Sequence, residues 1–385
     1  MRHRIPILVF TMFLSITACA PATMVESQSP ELDSTTTMND DPQSTTEGDP
    51  LESTAITLTD ATGQELSFPA PPERIVFAGR GGQMLLHAAY FFPEAVDRIV
   101  GMEQRLQKDR SMLPLIDPLF DDKEQLERDA SAEQIAPLHP DVVLMKTYMD
   151  ELGDTIKQLN IPVLYLELET PEQFFRDITS LGDLFDNPHR AQEVLAFYQD
   201  RMDRVAENLG GLPEGDRPSV LLIQYDTRGG EVAFKVPSES WLQTTMVEIA
   251  GGNPVWVEAA PSGGWTVVNF EQIAAWDPDI VILVNYFDDP GLAIAELVAD
   301  AKWQALRAVQ DDELYGFPGD YLSWDQPDTR WIVGLQWLAS VIHPDRFPDL
   351  DILEELGTFY SELYGIETAV FEDEIVPLIT GDLDD

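Results

Sequence analysis

Glu133–Asp150 (EQIAPLHPDVVLMKTYMD) recurs 138 positions later as Glu271–Asp288 (EQIAAWDPDIVILVNYFD), with 9 of 18 aligned positions identical. Most of the remaining positions exchange one apolar residue for another. Solenoid repeats have periods of roughly 20–50 residues, so a spacing this long is the length of a whole domain. Each copy reads as a helical turn headed by Glu, a Pro-Asp turn, and a buried strand ending in polar and aromatic residues. Two lobes of one design follow from this, and a cleft between lobes is a common place to hold a small ligand.

Working outward from the repeats, short apolar strands alternate with helical runs. Ile56–Phe68 reads as a hairpin around a Thr-Gly turn. Strands are expected at Arg74–Ala78, Val96–Val100, Asp141–Met145 and Val163–Leu166, with helices at Met84–Phe92 and Asp154–Asn160. Beyond these, Pro188–Leu209 keeps helical spacing, with Pro at its start and Gly210-Gly211 at its end, which is sound helix punctuation. The second half repeats the alternation: strands Ser219–Gln224, Ile280–Val284 and Leu314–Phe317, helices Leu242–Ala250 and Thr329–His343. Alternation of this kind predicts α/β lobes with parallel sheets. The expected boundaries are a leader over 1–19, an acidic tether over 20–55, a first lobe over 56–186, a connecting helix over 187–210, a second lobe over 216–366 and an acidic tail over 367–385, short and helical from Phe371 with a frayed end.

The ends and the charge narrow the function. Met1-Arg-His-Arg4, the apolar run Ile5–Ile16 and the small residues Thr17 and Ala18 form a secretory leader, too short for a membrane span of about 20 residues. Cys19, the only cysteine, follows them as in a bacterial lipobox, so it is read as a lipidated anchor. Ala20–Ala55 has no Lys or Arg and too little apolar surface to offset chain entropy, so it is expected to be a disordered tether. A net charge of −46 argues against nucleic acid, whose phosphates require Lys and Arg.

In open α/β sheets, ligands bind beyond the carboxyl ends of the strands. Collecting those ends yields Arg80, Arg105, Lys146, Arg228 and Arg330 as cations. The aromatics are Tyr148, Tyr225, Tyr286, Tyr321 and Trp324, joined by Trp256 and Trp265 from the loop that precedes the second repeat. Arg forks with aromatic walls suit a bulky, partly apolar ligand that carries negative charge. Catalysis has little support: no nucleophile elbow and no phosphate loop occurs, and the lone cysteine precedes the globule. His139 is matched by Asp277 in the second copy and reads as a turn residue. His87, on the apolar helix after Gly79-Arg80-Gly81-Gly82, reads as a core histidine. The compact His and carboxylate set that a bare Zn²⁺ prefers is missing, so no metal site is expected. Glu133 and Glu271 occupy matching outer positions, where opposed charge on a partner fixes register.

The opening ITLTDATGQELSFPAPPERIV, the two EQIA elements, the mid-chain helix, KWQALRAVQDDELYGFP and the helix within TRWIVGLQWLASVIHPDRF together resemble the ABC-transporter substrate-binding proteins for iron complexes and vitamin B12. The resemblance covers about Ile56 to Gly365. It implies two Rossmann-like lobes joined by one rigid helix, a shallow cleft, no enzyme activity and no cofactor. It also implies a protein that stays outside the cytoplasm and hands cargo to a membrane permease driven by a cytoplasmic ATPase; a monomer is expected. The cargo it implies is a ferric chelate of siderophore type, with cobalamin or haem as variants. The run SWDQPDTRW resembles a branch of that family variously linked to ferric chelates or to molybdate and tungstate, and a surface sensor without transport is a further alternative. By motif match, Glu133 and Glu271 would dock into arginines of the permease.

Overall fold

The computed structural model describes residues 55–107, 110–228, 232–261 and 263–383. The leader, Cys19 and the tether up to Thr54 lie outside the described residues. The chain enters through a hairpin, β1 (Ile56–Thr59) and β2 (Glu65–Phe68), whose residues alternate strictly between buried and exposed. Asp60 closes the turn by accepting the N–H groups of Thr62 at 2.8 Å and Gln64 at 3.0 Å.

The first sheet contains β3 (Ile75–Phe77), β4 (Ile99–Glu103), β5 (Glu124–Leu126), β6 (Val142–Lys146) and β7 (Val163–Leu166). They lie in the order β5-β4-β3-β6-β7, and every pairing is parallel. Ile75, Phe77, Val142 and Leu144 face the main core, while the alternating Val76, Ala78, Val143 and Met145 join a second cluster with Ile135 and Ile156. That is the period-two pattern of strands covered on both faces, which is why they read as unbroken apolar runs.

The second sheet comprises β8 (Ser219–Asp226), β9 (Ala233–Val236), β10 (Asn253–Pro254), β11 (Thr266–Val268), β12 (Ile280–Val284) and β13 (Leu314–Gly316). Strands β8, β12 and β13 are parallel, whereas β9 and β11 run antiparallel at one edge, so this sheet is mixed rather than wholly parallel as expected. The sheets correspond across the repeat: β6 sits between β3 and β7 as β12 sits between β8 and β13. In each copy the helical turn ends on a left-handed residue, His139 (φ 48°) and Asp277 (φ 41°). Each Pro-Asp carboxylate then holds the start of the neighbouring strand, Asp141 accepting from Arg74 N–H at 2.9 Å and Asp279 from Ser219 N–H at 2.8 Å. An arginine binds the turn carbonyls of each copy, Arg74 to Leu138 O at 3.0 Å and Arg307 to Asp277 O at 2.7 Å.

Between the sheets along the chain runs the helix Pro188–Asn208, capped by Asn187 and roughly 32 Å long at 1.5 Å per residue. It is tied to the helix Ile352–Tyr364 by Arg201 Nε to Glu355 Oε2 at 3.0 Å. The helix Trp331–Ile342 is buried at all of its positions, as an all-round apolar helix must be. The acidic tail does not fray where described: Thr380 bridges Gly319, and the Asp382 carboxylate accepts Gly316 N–H at 2.7 Å.

Candidate functional site

Loops after strands of both sheets, the start of the helix Leu242–Ile249 and Trp265 just before β11 enclose a cleft of about 390 Å³. From the first lobe come Arg80, Met84, Tyr148 and Glu169; from the second, Trp241, Gln243, Trp265, Tyr286, Gln326 and Pro327. Tyr148 and Tyr286 are the matched tyrosines of the repeat, so the internal symmetry brings one phenol from each lobe to the same opening.

On the first-lobe side, Gly79 (φ 80°) and Gly81 (φ 76°) turn the chain sharply around Arg80. These left-handed positions favour glycine, and at Gly81 a Cβ would also sit 2.3 Å from the Tyr148 hydroxyl. That hydroxyl donates to Arg80 O at 3.0 Å, and the buried Glu103 accepts Gly79 N–H at 2.9 Å. The loop is thereby fixed from both sides and presents the Arg80 side chain, exposed and without a partner among the described residues.

On the second-lobe side, Trp241 meets Trp265 edge-on at 5.7 Å, and Trp265 meets Tyr286 at 6.0 Å. Beneath them Asp325 is fully buried and accepts from Ser323 Oγ at 2.5 Å, Tyr286 Oη at 2.7 Å and Gln243 Nε2 at 3.2 Å. Burial pushes the Asp325 carboxyl up, against the pull of those donors. The Tyr148 hydroxyl is pushed up to about 12 by desolvation and the Glu169 charge, and Tyr286 is raised by burial and Asp325. Both tyrosines therefore face the cleft as neutral phenols at neutral pH. Gln107 and Gln326 exchange amide hydrogen bonds of 2.7 and 3.1 Å across the lobes.

Of the cations expected at the cleft, only Arg80 is available on its surface. Arg105 is held by Glu103 at 2.8 Å and Asp129 at 2.6 Å, and Arg228 makes a two-pronged contact with Asp226 at 3.0 and 2.9 Å. Lys146 is buried and bound to Glu169 at 2.9 Å. Arg330 lies inside the protein, between Asp320 at 2.8 Å, Asp328 and the Tyr360 hydroxyl at 2.9 Å. Asp328 in turn accepts from His87 Nδ1 at 2.6 Å, so this charged knot ties the first lobe to the second. Removing a guanidinium from water is costly unless its donors are matched; here Asp320 and Tyr360 meet Nε, Asp328 meets Nη1 and Met112 Sδ meets Nη2. Among the aromatics, Tyr148, Trp265 and Tyr286 line the cleft. Trp256, Tyr321 and Trp324 are buried, and Tyr225 is occupied by Glu296 at 2.8 Å. The physical reason is common to all of these departures: a strand-end address says where the backbone is, not which way the side chain is drawn.

Glu169, Trp241, Gln243 and Met84 escaped the sequence reading. The strand-end rule applied to Val163–Leu166 reaches Glu169, three residues on. Trp241 and Gln243 open a helix and carry no such signal.

Glu133 and Glu271 are exposed in the first turns of the helices Ala132–Ile135 and Phe270–Trp276. Each turn is closed by the same bond, Ser131 N–H to Gln134 Oε1 at 2.9 Å and Asn269 N–H to Gln272 Oε1 at 3.2 Å. Hydrogen bonds from its own backbone and from Ser131 hold the Glu133 carboxyl below its usual range. Among the described residues no group of three His, Cys, Asp or Glu is arranged to hold a metal ion.

Residues 123–321 match the family described as "Periplasmic binding protein". A molybdate-binding protein, MolA, of Haemophilus influenzae is 23% identical over 254 residues, covering 60% of this chain and 69% of that one. An iron-uptake system-binding protein of Bacillus subtilis is 23% identical over 213 residues, 53% of this chain and 62% of the relative. Among solved structures, a periplasmic solute-binding protein of Veillonella parvula is 25% identical with a TM-score of 0.66, covering 81% of this chain and 93% of its own. MolA of Haemophilus influenzae bound to molybdate is 20% identical with a TM-score of 0.65, over 80% of this chain and 98% of that one, which is likeness of fold alone.

Proposed function

We propose, for a chain that belongs to the periplasmic binding protein family, that the cleft captures a metal chelate of siderophore type for delivery to an ABC permease. The protein is a solute-binding component of such a transporter, and its relatives include binders of molybdate and of iron-uptake cargo. The observation that carries the chelate reading is the cleft wall: Trp241, Trp265 and Tyr286 form one aromatic run opposite Tyr148, with a single free guanidinium, Arg80, among the described lining residues. A bare oxyanion needs a tight shell of donors, whereas broad aromatic faces gain from area and stacking. Native mass spectrometry of the protein with ferric siderophores, cobalamin, haem, molybdate and tungstate tests this. Retention of a ferric chelate is expected, and retention of molybdate or tungstate alone would replace the reading with the oxyanion one.

Glu133 and Glu271 are the residues we assign to permease docking, because they are matched by the repeat, exposed and set on the same capped turn. Charge reversal of both, Glu133→Arg with Glu271→Arg, is expected to abolish uptake while leaving cargo affinity unchanged. Unchanged uptake would favour a surface sensor. Cys19 is proposed as the lipid anchor that keeps the protein at the membrane surface, which palmitate labelling of wild type against Cys19→Ala would detect.

A further inference from the structure

The charge of the cleft points further, given the reading that it holds a metal chelate. Lys146 has no exposed surface, yet Glu169, bound to its Nζ at 2.9 Å, lines the cleft with a quarter of its side chain exposed. Cargo therefore meets the carboxylate, with the ammonium behind it. Glu167, close enough to feel both Lys146 and Glu169, is a second carboxyl beside the same ammonium. The remaining polar groups among the described lining residues are neutral: the phenols, the indoles, and the amides of Gln243 and Gln326. Among the described residues, Arg80, Lys146 and Glu169 together leave one net positive charge, which an ionised Glu167 offsets, inside a chain of net charge −46. Charges closer than about 8 Å escape most screening at physiological salt, so a polyanion in this cleft is opposed by Glu169 and, among the described lining residues, gains only Arg80. We propose that the cleft selects metal chelates that are neutral or singly charged, the charge class of ferric trishydroxamates, and that Glu169, by neutralising Lys146, sets this selection. The Glu169 charge reaches both walls, since it contributes to raising the hydroxyls of Tyr148 and of Tyr286.

Quenching of tryptophan fluorescence tests the idea on the full chain, because Trp241 and Trp265 line the cleft. Neutral and singly charged ferric trishydroxamates are titrated beside a ferric triscatecholate and molybdate. The trishydroxamates are expected to bind about ten-fold or more tightly than either polyanion, a gap of about 1.4 kcal/mol. Glu169→Gln frees the Lys146 charge and is expected to narrow the gap by strengthening the triscatecholate. Lys146→Met leaves Glu169 unopposed and is expected to widen it. A wild-type cleft that prefers the triscatecholate overturns the selection while leaving the chelate reading standing. Binding of no chelate of either charge overturns that reading and this one with it. A gap that neither substitution moves overturns the role of Glu169. Should either variant fail to fold, the wild-type ranking still decides the selection.

Discussion

Arg330 shows how far a residue type can mislead without its partners. An arginine beside an aromatic-rich loop suggests a ligand fork, but its donors end on Asp320, Asp328 and Tyr360. Arg330→Met strands two buried carboxylates and is expected to cost about 3–5 kcal/mol in urea denaturation; a loss of cargo affinity without loss of stability would return Arg330 to the cleft. The pH dependence gives this prediction a sign. Burial alone would push Asp328 up, but Arg330 and His87 outweigh it and hold the carboxyl well below its usual range. Asp226 is held low chiefly by Arg228. Carboxylates depressed in the folded state contribute stability that is complete above about pH 4 and is lost as the pH falls further. Without Arg330, burial acts on Asp328 against His87 alone, so the carboxyl rises and the deficit of the variant is expected to shrink as the pH is lowered toward that range. The local partners were within reach of the sequence, since Asp328 and Asp226 each lie two residues before their arginine. Lys146 with Glu169, and His87 with Asp328, pair across long separations that only the fold closes.

Elements were more legible than side chains, and for identifiable reasons. The connecting helix carries Pro at its first position and Gly after its end, and the structure has it at Pro188–Asn208. The repeat strands Val142–Lys146 and Ile280–Val284 match in length and place because each copy has its own Pro-Asp turn. The helix Pro171–Leu184 passed unread despite Thr170 capping Gln173 N–H at 3.3 Å. Its apolar Phe174, Ile178 and Leu181 fall at i, i+4 and i+7, so the helical signal is present in the sequence. The antiparallel edge was illegible because β9 and β11 have only 4 and 3 residues, too few to show alternation. The capped turns also yield a test: Asn269→Ala removes the acceptor of Gln272 N–H at 2.9 Å. It should cost about 1 kcal/mol of stability by thermal or chemical unfolding. A cost near zero would mean that packing, not the cap, holds Glu271 in place.

At the scale of the molecule, the lobes meet through more than the connecting helix. The His87–Asp328–Arg330 knot and the paired amides of Gln107 and Gln326 also join them. Breaking a buried charge pair is expensive, so capture of cargo is expected to proceed by small rotations. Small-angle scattering should show a radius of gyration nearly unchanged between free and loaded protein, and marked compaction would contradict the rigid connection. The paired tail adds a practical consequence. Thr380 and Asp382 brace the start of the segment that carries Gln326 and Pro327 to the cleft. Proteolytic clipping of the last half-dozen residues, or a purification handle spliced in ahead of them, would loosen the shelf on which cargo rests. A weakened receptor prepared that way would be a product of its handling rather than of its pocket.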